Sequence, residues 1–277
     1  MSIMICVADG SQTPESLAGV REMWREKTGL PISDTPLLQF SMFREGDLTP
    51  MDEAFRTRLQ RAINTSARYG RDHPESLLHI DYEYPGFTTL EMNELQLTTR
   101  SAFMAIFQAQ GLKVGNWGMP MVNERSQTWT TQRSLNCYQQ INESADFILV
   151  SLALYNTEPE TFEDLNRIVD VARHAVETLS IHDKPVLVST QTFVRVDGGR
   201  RVLKPQTAYA MGVALRAVHN AGGFPVFWTE RLGTDNTRYE HQENALDEIG
   251  EYMLAGWKSV DLFVEANAGD PLPQVTQ

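Results

Sequence analysis

Cysteine is scarce in this chain. Only Cys6 and Cys137 occur among 277 residues, and they stand too far apart for the paired spacing of a zinc site. Cys6 lies in a strand-like pattern and Cys137 in a helical one, so we expect buried free thiols rather than a disulfide framework. The sequence also lacks His-Glu-x-x-His and any other metal-ligand spacing. We therefore expect no catalytic metal and no cofactor.

Basic residues are fewer than acidic ones. The chain has 24 Lys and Arg against 36 Asp and Glu, and a formal net charge of −12. Nucleic acids and anionic membrane surfaces attract basic proteins, so we predict neither as a partner. The same charge disfavours polyanionic substrates, so we expect a neutral substrate rather than a polyanionic one.

Long apolar runs are missing as well. No stretch is long enough to span a bilayer, so we predict no membrane segment. Residues 1–9 carry no basic group, and their apolar run is too short for a signal peptide. These features favour a cytoplasmic protein, or a phage- or virion-associated one that is released without a conventional signal.

The pattern that is present is an alternation of short apolar segments with longer amphipathic ones. Thr13-Pro14 is typical of a helix start, and Gly29, Gly70, Gly111 and Gly222 fall where helices should end. The predicted strands are 3–7, 36–43, 77–83, 112–117, 146–153, 185–191 and 224–229, and the predicted helices are 14–28, 51–69, 89–110, 131–143, 160–180, 206–221 and 240–256.

Regular strand-helix alternation indicates an α/β protein with a parallel sheet. We predict a single TIM-type (β/α) barrel of seven or eight strands over residues 1–265, followed by a flexible tail at 266–277. The eighth strand has one candidate, Ser259–Val264. A doubly wound open sheet is the alternative, but no Gly-rich phosphate loop follows the first strand.

The segment Leu77–Pro85 is the most informative part of the chain. Because side chains alternate along a strand, His79, Asp81 and Glu83 share one face. Two neighbouring carboxylates cannot both ionise easily, so the pKa of one should rise, as a general acid requires. We expect His79 to be a buried core histidine that can hydrogen-bond Asp81.

The other predicted strand ends are also rich in polar and aromatic residues. In a barrel, the C-terminal ends of the strands form the active site, and aromatic rings with carboxylates are typical of sugar sites. Segment 118–130 is predicted to be a long polar loop at this rim. The strand-end residues that we predict to contact substrate are Arg44, Trp117, Tyr155, Gln191, Trp228 and Glu230.

Five short motifs occur at predicted strands in an order that resembles the hyaluronidase family of glycoside hydrolases. The resemblance covers residues 77–230. The motifs are Ile80-Asp81-Tyr82-Glu83, Gly115-Asn116-Trp117-Gly118-Met119-Pro120, Ala153-Leu154-Tyr155, Pro185-Val186-Leu187-Val188-Ser189-Thr190 and Ala221-Gly222-Gly223-Phe224-Pro225-Val226-Phe227-Trp228.

This resemblance implies a distorted barrel and a retaining mechanism in which the N-acetyl group of the substrate attacks the anomeric carbon. Glu83 would protonate the leaving oxygen, and Asp81 would stabilise the acetamide as it becomes cationic. Tyr155 would hydrogen-bond to the acetamide, and Trp228 would form a wall of its pocket. Tyr84 stands where the family usually has tryptophan and is a further candidate for substrate binding.

Two alternatives remain open at this stage, and a third is disfavoured. Glu230 is a candidate second carboxylate, and the distance between the two carboxyl groups would separate a covalent retaining from an inverting mechanism. A non-catalytic carbohydrate-binding or structural protein, for example in a virion, could keep the same barrel. A lyase or aldolase would need a lysine at the active-site end, but Lys113 and Lys184 fall at the starts of strands, at the opposite end.

Overall fold

A computed structural model gives the fold of the protein. The residues that the structure describes are 2–7, 14–43, 71–83, 104–116, 121–123, 142–153, 161–180, 183–191, 205–229 and 249–260, together with 57, 60, 61, 64, 68 and 101. The predicted tail at 266–277 and Cys137 lie outside the described residues.

Eight parallel strands form one sheet that closes on itself. β1 pairs with both β2 and β8, and β4 pairs with β6, so the ring has seven positions. The predicted α/β barrel is therefore confirmed, with seven positions around the ring. The strands are β1 (Met4–Val7), β2 (Leu37–Phe43), β3 (Leu77–Glu83), β4 (Lys113–Asn116), β5 (Met121–Asn123), β6 (Phe147–Ala153), β7 (Val186–Gln191) and β8 (Phe224–Thr229).

One position of the ring is shared by two short strands. β4 pairs with the first residues of β6, through Gly115 and Phe147, and β5 pairs with its last three. The prediction of an uninterrupted loop at 118–130 was wrong at residues 121–123. Three residues are too few to show a strand pattern, and β5 pairs with the part of β6 that lies beyond the end of β4.

Helices alternate with the strands. We label the longest described helices α1 (Pro14–Thr28), α2 (Phe162–Leu179), α3 (Pro205–Asn220) and α4 (249–259). The described residues within predicted helices 51–69 and 89–110 are helical up to Gln108. Of predicted helix 131–143, residues 142 and 143 are described and helical, and the helix continues to residue 144. The eighth-strand prediction at Ser259 was wrong, because Ser259 ends α4 and β8 pairs directly with β1.

The helix ends follow the predicted signals. Gly29, Gly111 and Gly222 have φ of 65°, 84° and 88°, the left-handed conformation that glycine adopts without a steric penalty. At the start of α2, Thr161 and Asp164 form a capping box in which each side chain accepts from the other's backbone N–H. Gly70 lies outside the described residues.

Two separate apolar cores follow from the alternation of side chains along the strands. The outer core joins one face of the strands to the helices, and includes Ile5, Ile80, Val188 and Trp24. The inner core contains strand residues only, among them Met4, Leu37 and Leu149. The inner core therefore marks the lumen of the barrel.

Helix α4 closes the outer layer against α3. A Cβ added at Gly212 would lie 2.0 Å from the Met253 carbonyl oxygen, and one at Gly256 would lie 2.0 Å from that of Tyr209. The two helices therefore touch backbone to backbone, and Arg216 lies over the ring of Trp257. Among the described helices, none has both the length and the apolar character needed to cross a membrane.

Candidate active site at the C-terminal mouth of the barrel

The lumen changes from apolar to polar along the strands. Its lower part, which we call the floor, is formed by Met4, Leu37, Leu77, Phe147, Leu149, Leu187, Phe224 and Val226. Four polar or thiol-bearing residues follow toward the C-terminal ends, each two positions after a floor residue of the same strand. We call this set the collar; its members are Cys6, Gln39, His79 and Ser189, all of them buried.

The collar contains a direct contact across the lumen. Cys6 Sγ lies 3.0 Å from His79 Nε2, and both side chains are fully buried. Cys6 is on β1 and His79 on β3, so the contact passes over the intervening strand β2. The predicted buried free thiol at Cys6 and the predicted core histidine are both confirmed.

Burial keeps the His79 ring neutral. It lowers the pKa of His79 from 6.5 to about 3, because a charged imidazolium would lose its hydration inside the barrel. The ring is therefore a neutral hydrogen-bonding group at ordinary pH.

A second buried polar group faces the same region. Ser189 Oγ is buried and has no hydrogen-bond partner in the described part of the chain. Buried hydroxyl groups in folded proteins usually bond to another group or to an ordered water. The collar is therefore a polar layer above an apolar floor.

The two candidate catalytic residues belong to the strand that carries His79. In the register of β2 and β3, Asp81 pairs with Ser41 and Glu83 pairs with Phe43. Asp81 stands two positions beyond His79, and Glu83 is the last residue of β3. Because side chains alternate along a strand, these two positions belong to the same face of β3 as His79, whose side chain is in the lumen.

Two further candidates are neighbours at the ends of the last two strands. Gln191 ends β7 and pairs in register with Trp228 of β8. Trp228 also pairs with Cys6 of β1, so its backbone stands beside a collar residue. The structure thus places Gln191 and Trp228 side by side in the sheet, and Asp81 and Glu83 together on β3. Arg44, Tyr84, Trp117, Tyr155 and Glu230 lie outside the described residues.

Sequence reasoning missed part of the collar. Gln39 received no functional interpretation, and Cys6 was interpreted only as a buried thiol. These two residues are recognised when the face on which each side chain lies is combined with its register partner on the next strand. Gln39 pairs with His79, and Cys6 pairs with Trp228. This combination becomes visible only when the neighbours of each strand are known.

The described residues also bear on two other kinds of site, a metal site and a site with a catalytic lysine. Across the described segments, no group of three or more His, Cys, Asp or Glu side chains is arranged to hold a metal ion. Lys113 begins β4, and Lys184 precedes β7, where its ammonium group donates to the backbone carbonyls of Asn142, Glu143 and Ala145. Both lysines stand at the N-terminal end of the barrel, opposite the collar.

Comparison with known proteins gives structural similarity without a sequence family. No family model matches the chain, and no curated protein matches it. The spore cortex-lytic enzyme SleL of Bacillus megaterium QM B1551 is 10% identical over 94% of this chain and 73% of its own, with a TM-score of 0.46.

Two other solved structures illustrate the range of similar proteins. Bee venom hyaluronidase in complex with a hyaluronic acid tetramer is 12% identical, over 89% of this chain and 87% of that one, with a TM-score of 0.42. D-psicose 3-epimerase from Clostridium cellulolyticum H10 is 14% identical, over 96% of this chain and 100% of that one, with a TM-score of 0.46. These similarities concern the arrangement of strands and helices.

Proposed function

We propose that this protein is a glycoside hydrolase that cleaves glycans containing N-acetylhexosamine, with Glu83 as general acid and base. The observation that carries the proposal is the contact between Cys6 and His79 inside the lumen. It identifies the luminal face of β3, and that face leads through Asp81 to Glu83 at the C-terminal end of the strand. The polar collar beneath these positions and the ordered motifs of the sequence support the same assignment.

The proposed reaction has two steps. Glu83 donates its proton to the glycosidic oxygen while the carbonyl oxygen of the 2-acetamido group attacks the anomeric carbon and the glycosidic bond breaks. Asp81 stabilises the resulting oxazolinium ion by its negative charge. Glu83, now a carboxylate, then takes a proton from water as the water opens that ring. We expect Tyr155 to hydrogen-bond to the acetamide and Trp228 to flank it.

Glu83→Gln should nearly abolish hydrolysis and leave the fold intact. The loss of general acid assistance should lower the rate about 10²- to 10⁴-fold. The measurement is the appearance of new reducing ends from neutral N-acetylglucosamine oligomers. Glu75→Gln is the matched control, because Glu75 is an exposed carboxylate in the turn just before the opposite end of β3. A folded Glu83→Gln variant that keeps most of the activity would rule out the assignment.

The acetamide mechanism makes a second prediction. Asp81→Asn should be severely impaired and Glu230→Gln only mildly, and substrates without the 2-acetamido group should not react. The same reducing-end assay, on N-acetylated and de-N-acetylated oligomers, measures all of these. If Glu230 is the nucleophile or base instead, Glu230→Gln becomes inactive and the acetamide becomes dispensable.

A further inference from the structure

Arg21 is a buried cation whose charge is not paired at short range. It lies on α1 among the buried residues Leu17 and Trp24, and it is only 8% exposed. Within the described part of the chain, its Nη1 atom has no hydrogen-bond partner, and no carboxylate forms an ion pair with the guanidinium. Arginine is rarely buried to this extent unless it is paired, because an uncompensated charge inside a protein is costly.

The segment that precedes β2 flanks Arg21 on one side. Arg25, one turn further along α1, donates to the carboxylate of Asp34 at 2.8 Å and to the carbonyl oxygen of Ile32 at 3.2 Å. The short contact of Asp34 is therefore with Arg25. Burial lowers the pKa of Arg21, and the negative charge of Asp34 offsets this effect only in part. The guanidinium of Arg21 thus lacks a full counter-charge.

The segment that precedes β3 flanks the same part of α1 and supplies a second polar group. His73 Nε2 lies 3.1 Å from the carboxylate of Glu15 in the first turn of α1, so this segment lies along the helix. Glu75 is close enough for its charge to act on Arg21. The next residue, Ser76, is fully buried, and its Oγ has no hydrogen-bond partner among the described residues. A buried cation and a buried hydroxyl group therefore lack partners in neighbouring parts of the structure.

We propose that Arg21 and Ser76 form a binding site for a small oxyanion, such as phosphate, between α1 and the segments that precede β2 and β3. A guanidinium presents a planar set of N–H donors that matches an oxyanion, and a hydroxyl can donate one more bond. Water can accept the same bonds, but only an anion also compensates the buried charge. The net charge of −12 opposes anions at long range, so the affinity depends on these short contacts.

This site is separate from the candidate active site. The segments that enclose it come directly before the first residues of β2 and β3, so it lies toward the N-terminal end of the barrel. The candidate active site is at the opposite, C-terminal end. The proposed oxyanion site therefore does not depend on the proposed glycosidase activity.

Thermal unfolding in phosphate tests the site, with chloride at the same ionic strength as the reference. A ligand that binds only the folded state raises Tm, and we expect phosphate to raise the Tm of the wild type by about 2–4 °C. Arg21→Met should remove this rise. Arg173→Met is the matched control and should keep the full rise, because Arg173 is an exposed arginine of α2 that is paired with Asp170. Titration calorimetry with phosphate should give one site per chain in the wild type and none in Arg21→Met.

Two further variants keep the test decisive if Arg21→Met folds poorly. Arg21→Lys keeps the charge but loses the planar donors, so it should weaken phosphate binding. Ser76→Ala should weaken it about 10-fold, since one hydrogen bond is lost. Equal rises in Tm for the wild type and all Arg21 variants overturn the proposal. A wild type whose Tm is the same in phosphate and in chloride also overturns it, and water is then the partner of these groups.

Discussion

His79 shows how a single residue acquires its properties from the barrel. In sequence it is one histidine among six. In the fold it is fully buried beside the thiol of Cys6, and burial lowers its pKa to about 3. A group that titrates near pH 6.5 in the unfolded chain therefore stays neutral in the folded protein over most of the accessible range.

This difference makes a prediction about acid stability. Between pH 6.5 and about 3 the unfolded chain binds a proton at His79 that the folded protein does not, so stability should fall as the pH falls through this window. The contribution is on the order of 1 kcal/mol for each pH unit. Above pH 6.5 the residue contributes no pH dependence.

His79→Asn should therefore flatten the dependence of unfolding free energy on pH. The measurement is urea denaturation of the wild type and the variant at several pH values from 7.5 to 4. The difference in unfolding free energy at pH 7.5 gives the effect of the packing lost in the substitution. The test therefore compares how steeply the unfolding free energy of each protein changes with pH, not its absolute value. Parallel slopes for the two proteins would refute the assignment of this acid sensitivity to His79.

At the scale of elements, the helices end where the backbone can turn. Gly222 follows α3 at a φ of 88°, and a Cβ there would meet nothing within 4 Å. Gly19 lies inside α1, is also exposed and would also meet nothing. The two glycines differ in backbone conformation but not in available space, so they form a matched pair.

Alanine at these two positions should have opposite effects. Gly222→Ala should lower the free energy of unfolding by about 1–2 kcal/mol, because a side chain is strained in the left-handed region. Gly19→Ala should raise it by about 0.5–1 kcal/mol, because alanine loses less backbone entropy in a helix. Denaturant unfolding of the two variants measures both. If both substitutions changed the free energy of unfolding in the same direction, backbone conformation would not be what decides their effects.

At the scale of the whole molecule, seven positions close the ring, and large floor side chains fill the space inside. The ring of Phe147 illustrates this, since a Cβ built on Gly115 would lie 2.2 Å from it. Gly115 and Phe147 are also register partners on β4 and β6, and the pairing of these two strands closes the ring. The closure of the strand ring and the filling of its lumen therefore both depend on Gly115 and Phe147.

A double-mutant cycle tests this dependence. Gly115→Ala should cost about 1–3 kcal/mol by overpacking, and the cost should shrink when Phe147→Leu is also present. Unfolding free energies of the single and double variants give the coupling. Gly115→Ala combined with Ile5→Val, a change in the outer core, is the control and should be additive. Additivity in the Gly115 and Phe147 pair would contradict direct contact.

The sequence by itself determined the strands and the two faces of each. β3 and β8 begin and end where the pattern predicts, and the other long strands differ by one residue. The prediction that His79, Asp81 and Glu83 share one parity on the strand followed from alternation alone. These properties are local, because the periodicity of a strand depends on the residues of that strand.

The tertiary structure alone decided which strands meet. The partnership of Cys6 with His79 spans 73 residues, and each of the two looks like an ordinary strand residue when read in isolation. β5 forms only on the part of β6 beyond the end of β4, and the ring closes at seven positions because β8 pairs with β1. Pairing, register and packing between distant segments are set by the closed barrel, and no local pattern encodes them.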